Sequence, residues 1–266
     1  MDYIDIRKIL KDGKSKSFKN LPDFVYSFFE RILKLKEINQ IITDYEGDNG
    51  VEFLRKLIDR LNFKIEVEGI ENLPENGRCF FVGNHAFGVL DGLIITKTIC
   101  EKYGELRFIG NEVFLLIPNL RHFVAAVNMF DKSPRDYMIA LQQVFDSDVP
   151  ITHFPNGSVS RIHKMKIRDN NWHKSFVTKA VSCKRDVVPI RFYGRNSGLF
   201  YSVFVLRKLL FIKTEVETAL LPREFFNKKN KTIKVKIGKP IPYERFNNSL
   251  SHCEWAQKVK DEIYSL

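Results

Sequence analysis

The chain lacks any apolar stretch long enough to cross a bilayer. None of its apolar runs reaches 18 residues, whereas a spanning helix needs roughly 20. The first residues, from Met1 to Asp5, also lack a basic region followed by an apolar run, so no signal peptide is expected. Any membrane association is therefore expected to be peripheral.

Cysteine and histidine are scarce and are not clustered. The four cysteines form no C-x-x-C pair, and the six histidines do not stand at metal-ligand spacing from them. This pattern predicts no metal site, and reduced, mostly buried thiols in a cytosolic compartment. The G-x-S-x-G motif of serine hydrolases is also missing, which argues against a hydrolase that would use Ser158 or Ser160 as its nucleophile.

Negative charge is scarce in one part of the chain. Residues 161–236 carry 19 Lys and Arg against 5 Asp and Glu, a local balance of +14 within a total of +11. This asymmetry indicates an anionic partner, which can be a nucleic acid, anionic lipid head groups or an acidic carrier protein. Scattered lysines such as Lys228 and Lys229 suggest only a solvated face. Aromatic residues are not interleaved with the basic ones, so no specific nucleic acid is predicted.

Residues 1–62 have a helical pattern and are interpreted as an N-terminal extension. Pro22 and Asp23 mark a helix start, and apolar residues recur at helical spacing from Phe24 to Leu35. A second helix is predicted from Val51 to Leu61. Basic residues beside the aromatic stripe suit a helix on an anionic membrane surface, and packing on the protein's own core is the alternative.

From Phe63 onward strand and helix patterns alternate, which predicts one α/β domain over residues 63–266. The predicted strands are 63–67, Cys79–Gly83, Leu106–Ile109, Phe123–Val127, Val149–Phe154, Val187–Tyr193 and 233–237. The predicted helices are Asp91–Tyr103, closed by Gly104, then 134–145 with Ser133 as its cap, and Lys174–Cys183.

A histidine and an aspartate follow one of these strands directly. His85 comes after the apolar run Cys79–Gly83, and Asp91 begins the next predicted helix. Sites in α/β proteins lie at the carboxyl ends of strands, and an imidazole there can act as a general base. Asp91 can hold one ring nitrogen and stabilise the imidazolium, although helix capping or a buried hydrogen bond explains each residue as well.

A second polar segment follows the predicted strand Val149–Phe154. Gly157 permits close backbone approach, and Asn156, Ser158 and Ser160 offer polar contacts beside it. Arg161 can clamp a phosphate or a carboxylate with two hydrogen bonds. An ordinary polar turn is the alternative interpretation.

These segments together resemble the glycerolipid acyltransferases, the superfamily of lysophosphatidate and glycerol-3-phosphate acyltransferases. Asn84, His85 and Asp91 are similar to its first motif, N-H-x(4)-D, with one extra residue. The segment from Phe154 to Arg161 is similar to its third motif, F-P-E-G-T-R-S-R, with Asn156 in place of the glutamate. Pro189 matches the fourth motif. Phe130-Asp131-Lys132 is a faint likeness of the second.

The departures from these motifs resemble a bacterial branch often named hemolysins. The longer His-to-Asp spacing belongs to this likeness, together with four further segments: Ser160-Arg161, Asp169 with Trp172, Gly194-Arg195-Asn196-Ser197, and Ile237-Gly238-Lys239-Pro240. The branch includes O-acyltransferases that acylate the hydroxyl of a 3-hydroxyacyl amino acid, as in ornithine and glycine lipids. Loss of the motif glutamate at Asn156 disfavours glycerol-3-phosphate or lysophosphatidate as acceptor.

The resemblance implies a mixed sheet flanked by helices and a general-base O-acyltransferase with catalytic His85 and Asp91. The acceptor is then a lyso-ornithine or lyso-glycine lipid, and the donor an acyl thioester of acyl carrier protein or coenzyme A, with no further cofactor. The expected location is peripheral, at an anionic surface on the cytoplasmic face of the inner membrane. The predicted substrate-binding residues are Asn156, Gly157, Ser158, Ser160, Arg161, Pro189, Arg191, Arg195 and Asn196.

Two other functions compete with this hypothesis. One is a 1-acylglycerol-3-phosphate acyltransferase, which would share the same motifs. The other is a non-catalytic protein that binds anionic lipid or nucleic acid through the basic residues 161–236. The identity of the acylated lipid separates the first from the amino-acid-lipid hypothesis, and a filter-binding test with DNA and liposomes separates the second.

Overall fold

A six-stranded mixed sheet forms the centre of the protein, which confirms the predicted fold class. The computed structural model describes residues 3–5, 7, 22–110, 114–115, 117–125 and 134–266, without the side chains of residues 134 and 137. The strands are β1 (Lys64–Glu68), β2 (Cys79–Gly83), β3 (Arg107–Ile109), β4 (Ile151–His153), β5 (Arg161–His163), β6 (Lys166–Arg168), β7 (Asp186–Tyr193) and β8 (Thr232–Ile237). The sheet order is β1-β8-β7-β2-β4-β3, and only the β7–β8 pair is antiparallel.

Helices cover both faces of this sheet. They are α1 (Asp23–Ile32), α2 (Leu35–Asp44), α3 (Gly50–Arg60), α4 (Val89–Tyr103), α5 (Pro134–Asp146), α6 (Ser175–Cys183), α7 (Gly198–Leu209), α8 (Leu221–Phe226) and α9 (His252–Ser265). Strands β5 and β6 form a separate antiparallel hairpin. No helix within the described ranges is long and apolar enough to span a membrane.

The central strand β2 explains why its sequence is a continuous apolar run. It pairs in parallel with β7 on one side and β4 on the other, and all five of its residues are buried. Phe81 packs into the core on one face of the sheet, whereas Phe80 and Val82 pack into the core on the other. A strand buried on both faces needs no polar alternation.

Helix α4 follows β2 and carries the aspartate of the first motif. It extends two residues further toward the N-terminus than predicted and ends at Tyr103. Gly104 adopts a left-handed conformation, with φ +82°, directly after the helix. The predicted stop at this glycine is therefore confirmed.

The spacing predicted that the N-terminal aromatic stripe would lie on one helix, and this prediction is wrong. Helix α1 ends at Ile32, and α2 begins at Leu35, because Lys34 takes a left-handed conformation with φ +55°. Phe24 and Phe28 are exposed on α1. Its predicted contact with a membrane stays a prediction.

Helix α3 belongs to the same hydrophobic core as the sheet. Phe53, Leu54 and Leu57 pack with residues of β2, α4 and β8. The boundary between an extension at 1–62 and a domain at 63–266 stays a prediction.

The predicted strand Phe123–Val127 is wrong in its described part. Phe123 closes a 3₁₀ turn that begins at Pro118, and Val124 makes a single parallel bridge to Phe108. The remaining residues of that strand, the 130–132 likeness of the second motif and the predicted cap Ser133 lie outside the described residues.

The sequence patterns missed helices α7 and α9. Helix α9 had a local signal, since Ser251 accepts the N–H of Glu254 and the Glu254 carboxylate accepts the N–H of Ser251. This reciprocal pair is the S-x-x-E capping box. Helix α7 is apolar on its buried side and exposes a further row of apolar residues, so its sequence shows little amphipathic contrast.

Candidate active site

His85 and Asp91 form a hydrogen-bonded pair at the carboxyl end of β2. The Nδ1 atom of His85 lies 3.0 Å from Oδ2 of Asp91. Asp91 is fully buried, whereas about 20% of the His85 side chain is exposed. The imidazole stacks on Phe154, with 4.3 Å between ring centroids and 19° between planes. Because Nδ1 is engaged, Nε2 is the ring atom available to a substrate.

Backbone amides fix the Asp91 carboxylate. The N–H groups of Phe87 and Gly88 both donate to Oδ2, at 2.8 and 3.0 Å. Gly88 has φ +91°, and a Cβ there would lie only 3.1 Å from Leu221. The extra residue of the first motif is thus accommodated where only glycine fits well. Burial raises the pKa of Asp91, while the bonds from His85 and these amides lower it.

The main chain around His85 is also held from both sides. Asn84 donates through Nδ2 to the carbonyl of Phe192 and accepts the N–H of Phe192 at Oδ1, at 3.1 and 2.8 Å. The N–H of Ser160 donates to the carbonyl of His85 at 2.7 Å. The N–H of His85 points to the carboxylate of Asp169, at 3.3 Å. The two motif segments are therefore joined by backbone contacts, as well as by the stacking of His85 on Phe154.

Asp169 is the centre of a buried polar network beneath His85. Ser160 donates its hydroxyl to Asp169 at 2.5 Å, and the indole N–H of Trp172 donates at 2.9 Å. The N–H of Asp169 donates to the hydroxyl of Tyr264 on α9 at 2.8 Å. The resemblance had singled out Asp169 and Trp172 without a role. In the structure Asp169 contacts the main chain of His85, and Trp172 holds Asp169. Tyr264 was missed because it lies 95 residues from Asp169 in sequence.

The predicted polar segment forms a tight turn beside His85 and Asp91, here called the dyad. Gly157 has φ +69°, and its N–H donates to the carbonyl of Phe154 at 3.0 Å. Asn156 is buried, and its Nδ2 donates to the carbonyl of Ser158. The amide of Gly157 is therefore engaged within the turn.

Arg161 is buried and ion-paired. Only 2% of its side chain is exposed, and its Nε lies 3.0 Å from Oε1 of Glu217. Arg207 binds the same carboxylate, with Nε 2.7 Å from Oε2, and Glu215 approaches Arg161 at 3.4 Å. The guanidinium also lies over the ring of Phe200, 4.9 Å from its centroid. This geometry gives Arg161 a structural partner, and the predicted anion clamp stays a prediction that the geometry does not favour.

Two predicted binding residues lie on β7. Pro189 is buried opposite Val82 of β2, and its carbonyl accepts the N–H of Gly238 at 2.8 Å. Arg191 stacks over Tyr264, with 4.1 Å from guanidinium carbon to ring centroid. Within the described residues, Nη1 of Arg191 is buried without a hydrogen-bond partner. Arg191 therefore borders the Asp169 network rather than the open side of His85.

The segment after β7 brings a lysine toward the dyad. Arg195 is exposed, and its carbonyl accepts a hydrogen bond from Nζ of Lys228, at 2.7 Å. This ammonium also lies 4.9 Å from the centroid of the Phe87 ring. Asn196 is buried, and its side-chain amide has no partner among the described residues. The sequence had suggested that Lys228 was merely solvated, so this placement was missed.

Burial and charge act against each other on Lys228. Burial lowers the pKa of Lys228, whereas the negative charges of Glu224 and Asp91 raise it. The Glu224 carboxylate is buried and accepts the N–H and the hydroxyl of Ser197, both at 2.7 Å. Lys228 is therefore a partly desolvated cation close to the dyad.

Within the described ranges, no group of three or more His, Cys, Asp and Glu side chains is placed to hold a metal ion. The arrangement can instead supply a base, a carboxylate partner and nearby cations. Those groups suit proton transfer from a hydroxyl.

Comparisons with known proteins show the family of the chain. A sequence model of the acyltransferase family matches residues 8–266. The chain belongs to the acyltransferase family. Two relatives of this acyltransferase are named lyso-glycine lipid O-acyltransferase. The one from Phocaeicola vulgatus is 38% identical over 264 residues, covering 99% of this chain and 95% of the relative. The one from Bacteroides thetaiotaomicron is 36% identical over 264 residues, with 99% and 97% covered.

A solved structure shows the same fold. The crystal structure of the 1-acyl-sn-glycerophosphate (LPA) acyltransferase PlsC from Thermotoga maritima superposes with a TM-score of 0.51 at 17% identity. The match covers 91% of this acyltransferase and 88% of that chain. At this identity the similarity establishes the architecture alone.

Proposed function

We propose that this acyltransferase moves a fatty acyl group from an acyl thioester to the hydroxyl of a lyso-glycine lipid. The full-length similarity to two proteins named for that activity supports the acceptor. The 3.0 Å contact between His85 and Asp91, with Nε2 left available, is the observation that carries the chemistry. A lysophosphatidate acceptor has weaker support, because the likeness to PlsC is one of fold.

In the proposed mechanism His85 acts as the general base. Its Nδ1–H donates to Asp91, so Nε2 removes the proton from the acceptor hydroxyl as the oxygen attacks the thioester carbonyl. The new C–O bond forms, the C–S bond breaks, and the proton passes from Nε2 to the departing thiolate. No acyl-enzyme intermediate is required.

Stabilisation of the developing oxyanion is assigned to the turn after Phe154. The main-chain N–H of Gly157 already donates to the carbonyl of Phe154, and the side-chain Nδ2 of Asn156 donates to the carbonyl of Ser158. We assign the contact with the oxyanion to the main-chain N–H and the hydroxyl of Ser158. Such donors act strongly because they are oriented before the reaction begins.

The thioester donor is proposed to be carried by acyl carrier protein or coenzyme A. The excess of 19 basic over 5 acidic residues in segment 161–236 favours an acidic carrier, since complementary charge accelerates encounter. Peripheral association with the cytoplasmic face of the inner membrane is part of the same proposal.

The acceptor can be tested directly with the purified protein. We expect acyl transfer from an acyl thioester to a 3-hydroxyacyl glycine, detected as a diacylated product by mass spectrometry. Lysophosphatidate, offered at the same concentration, is expected to be acylated at least about tenfold more slowly, a difference of about 1.4 kcal/mol. Faster acylation of lysophosphatidate would reverse the assignment.

We assign recognition of the head-group carboxylate to Lys228. An N-acylated glycine keeps a free carboxylate, and the Lys228 ammonium has donors beyond the one bound to Arg195. Its position beside Phe87, whose N–H binds Asp91, places this cation next to the dyad. Partial burial strengthens its attraction for an anion relative to a fully solvated lysine.

Replacing Lys228 with methionine is expected to raise the KM for the acceptor by about 10- to 100-fold, because a hydrogen bond to a charged group contributes about 1.5–3 kcal/mol. The kcat is expected to stay within about twofold, since the contact is the same in ground and transition states. Steady-state kinetics with 3-hydroxyacyl glycine measures both constants.

Lys229→Met is the matched control, because Lys229 is the exposed neighbour of Lys228. The head-group amide of the same acceptor provides a second control, since it carries no carboxylate. Equal KM values for wild type and Lys228→Met with the free acid would remove Lys228 from the head-group site.

A further inference from the structure

The end of helix α7 exposes an unusually apolar surface. Leu209, Leu210 and Phe211, here called the apolar tip, are 68, 59 and 90% exposed. Met165, in the turn between β5 and β6, is 94% exposed. Met165 and Phe211 are the most exposed large apolar side chains that the structure describes. Single exposed apolar residues are ordinary, whereas a contiguous group marks an interaction site.

The apolar tip is held in place from within. Arg207 is buried and donates from Nη1 to the carbonyls of Ile212 and Lys213, at 3.2 and 3.4 Å. The N–H of Ile212 returns to the carbonyl of Arg207 at 3.0 Å. Phe211 itself has φ +55°, a backbone conformation that residues other than glycine rarely adopt. The fold therefore fixes Phe211 outward instead of letting it collapse onto the core.

Positive charge surrounds these apolar side chains. Lys208 and Lys213 flank the tip, and Lys164 and Lys166 flank Met165, all four being exposed. The β5–β6 hairpin is near the end of α7, since Ile162 of β5 and Leu209 of α7 line the same surface groove. Apolar side chains framed by lysines match an anionic bilayer surface, into which the former insert while the latter meet lipid head groups.

A shallow apolar groove runs beside this surface. The groove has a volume of about 320 Å³ and is lined by Ile162, Tyr201, Ser202, Val205, Leu206 and Leu209. Ile162 and Tyr201 pack in one cluster with Val159. Val159 in turn lies against Gly88, three residues before Asp91. Packed apolar side chains thus link the wall of the groove to the turn that carries Asp91.

We propose that the apolar tip and the β5–β6 turn form the surface through which the protein docks on an anionic lipid bilayer. Docking there brings the groove to the membrane, so a lipid chain can enter it without crossing water. The inference goes beyond the acyl-transfer chemistry. It assigns membrane contact mainly to α7, whereas the sequence pattern had suggested α1.

Vesicle flotation tests this proposal without acceptor or acyl donor, so its outcome is independent of the proposed reaction. The probe is a vesicle of phosphatidylethanolamine and phosphatidylglycerol. The wild-type protein is expected to float with it, and less at high salt. The variant Leu209→Ser/Leu210→Ser/Phe211→Ser is expected to lose at least about tenfold in partition coefficient, equivalent to about 1.4 kcal/mol. Circular dichroism checks that this variant folds.

Phe24→Ser/Phe28→Ser is the matched control, because it removes two exposed aromatic side chains from α1. It is expected to retain binding within about threefold. Loss of binding only in this α1 variant, or wild-type binding by the tip variant, overturns the proposal. A third outcome also overturns it: the wild-type protein forms a dimer and does not bind vesicles, and the tip variant is a monomer. The tip would then contact a second copy of the chain.

A Phe211→Trp variant gives a second readout that does not require the tip to be removed. The native tryptophans, Trp172 and Trp255, are only 3 and 5% exposed and give a constant background. Brominated lipids are expected to quench the added emission when vesicles are present. If the variant floats with the vesicles but brominated lipids do not quench the emission of its added tryptophan, the membrane contact lies elsewhere and the assignment is overturned.

Discussion

Replacing His85 with alanine is expected to lower the rate of acyl transfer by at least roughly 10²–10⁴-fold, the usual contribution of a general base. The two side chains that contact the His85 imidazole cannot replace the base, because Phe154 is apolar and the Asp91 carboxylate faces Nδ1 and two backbone amides. The measurement is the initial rate with 3-hydroxyacyl glycine and an acyl thioester, at saturating concentrations of both.

His252→Ala is the matched control for His85→Ala. His252 begins α9, and its Nδ1 lies 2.9 Å from the hydroxyl of Thr178, away from the dyad. This variant is expected to keep its rate within about twofold. Wild-type turnover by a folded His85→Ala protein would exclude general-base catalysis by the dyad, whereas a folded wild-type protein with no turnover at all would favour a binding protein.

The second large effect is expected on stability and concerns Glu217. Its carboxylate is fully buried and binds both Arg161 and Arg207. Glu217→Gln would leave two buried guanidinium groups without their shared counter-ion, so the free energy of unfolding should fall by about 3–5 kcal/mol. Urea unfolding followed by circular dichroism measures the change.

Glu215→Gln provides the comparison within the same cluster. Glu215 is about half exposed and lies 3.4 Å from Arg161, so its loss should cost about 0–1 kcal/mol. If the two variants unfold at the same urea concentration, the buried cluster contributes no special stability. Arg161 would then again be a candidate for binding an anionic substrate.

Local pattern was sufficient where one segment determines its own structure. The bounds of β2 agree with the apolar run Cys79–Gly83, and the end of α4 agrees with Gly104. The pairing of His85 with Asp91 lies within one strand-to-helix turn and could be anticipated from sequence in the same way. The motif order along the chain supplied the fold class.

The sequence could not reveal contacts that depend on distant partners. Arg161 was predicted to bind an anionic substrate, and its ion pair with Glu217 was not foreseen because Glu217 lies 56 residues further along the chain. Lys228 reaches Phe87 only because α8 and the segment after β7 pack together above the dyad. The break at Lys34 has no Gly or Pro signal, since an ordinary lysine takes the left-handed conformation there.

The asparagine of the first motif has a consequence for where the central sheet stops. The Asn84 side chain exchanges two hydrogen bonds with the main chain of Phe192, just as a further peptide unit of β2 would. The main chain is thereby free to turn away one residue early without leaving β7 unpaired. Aspartate could not substitute, because it has no N–H to give the Phe192 carbonyl. Asn84 therefore acts as a strand terminator, and the location of His85, the proposed base, follows from that termination.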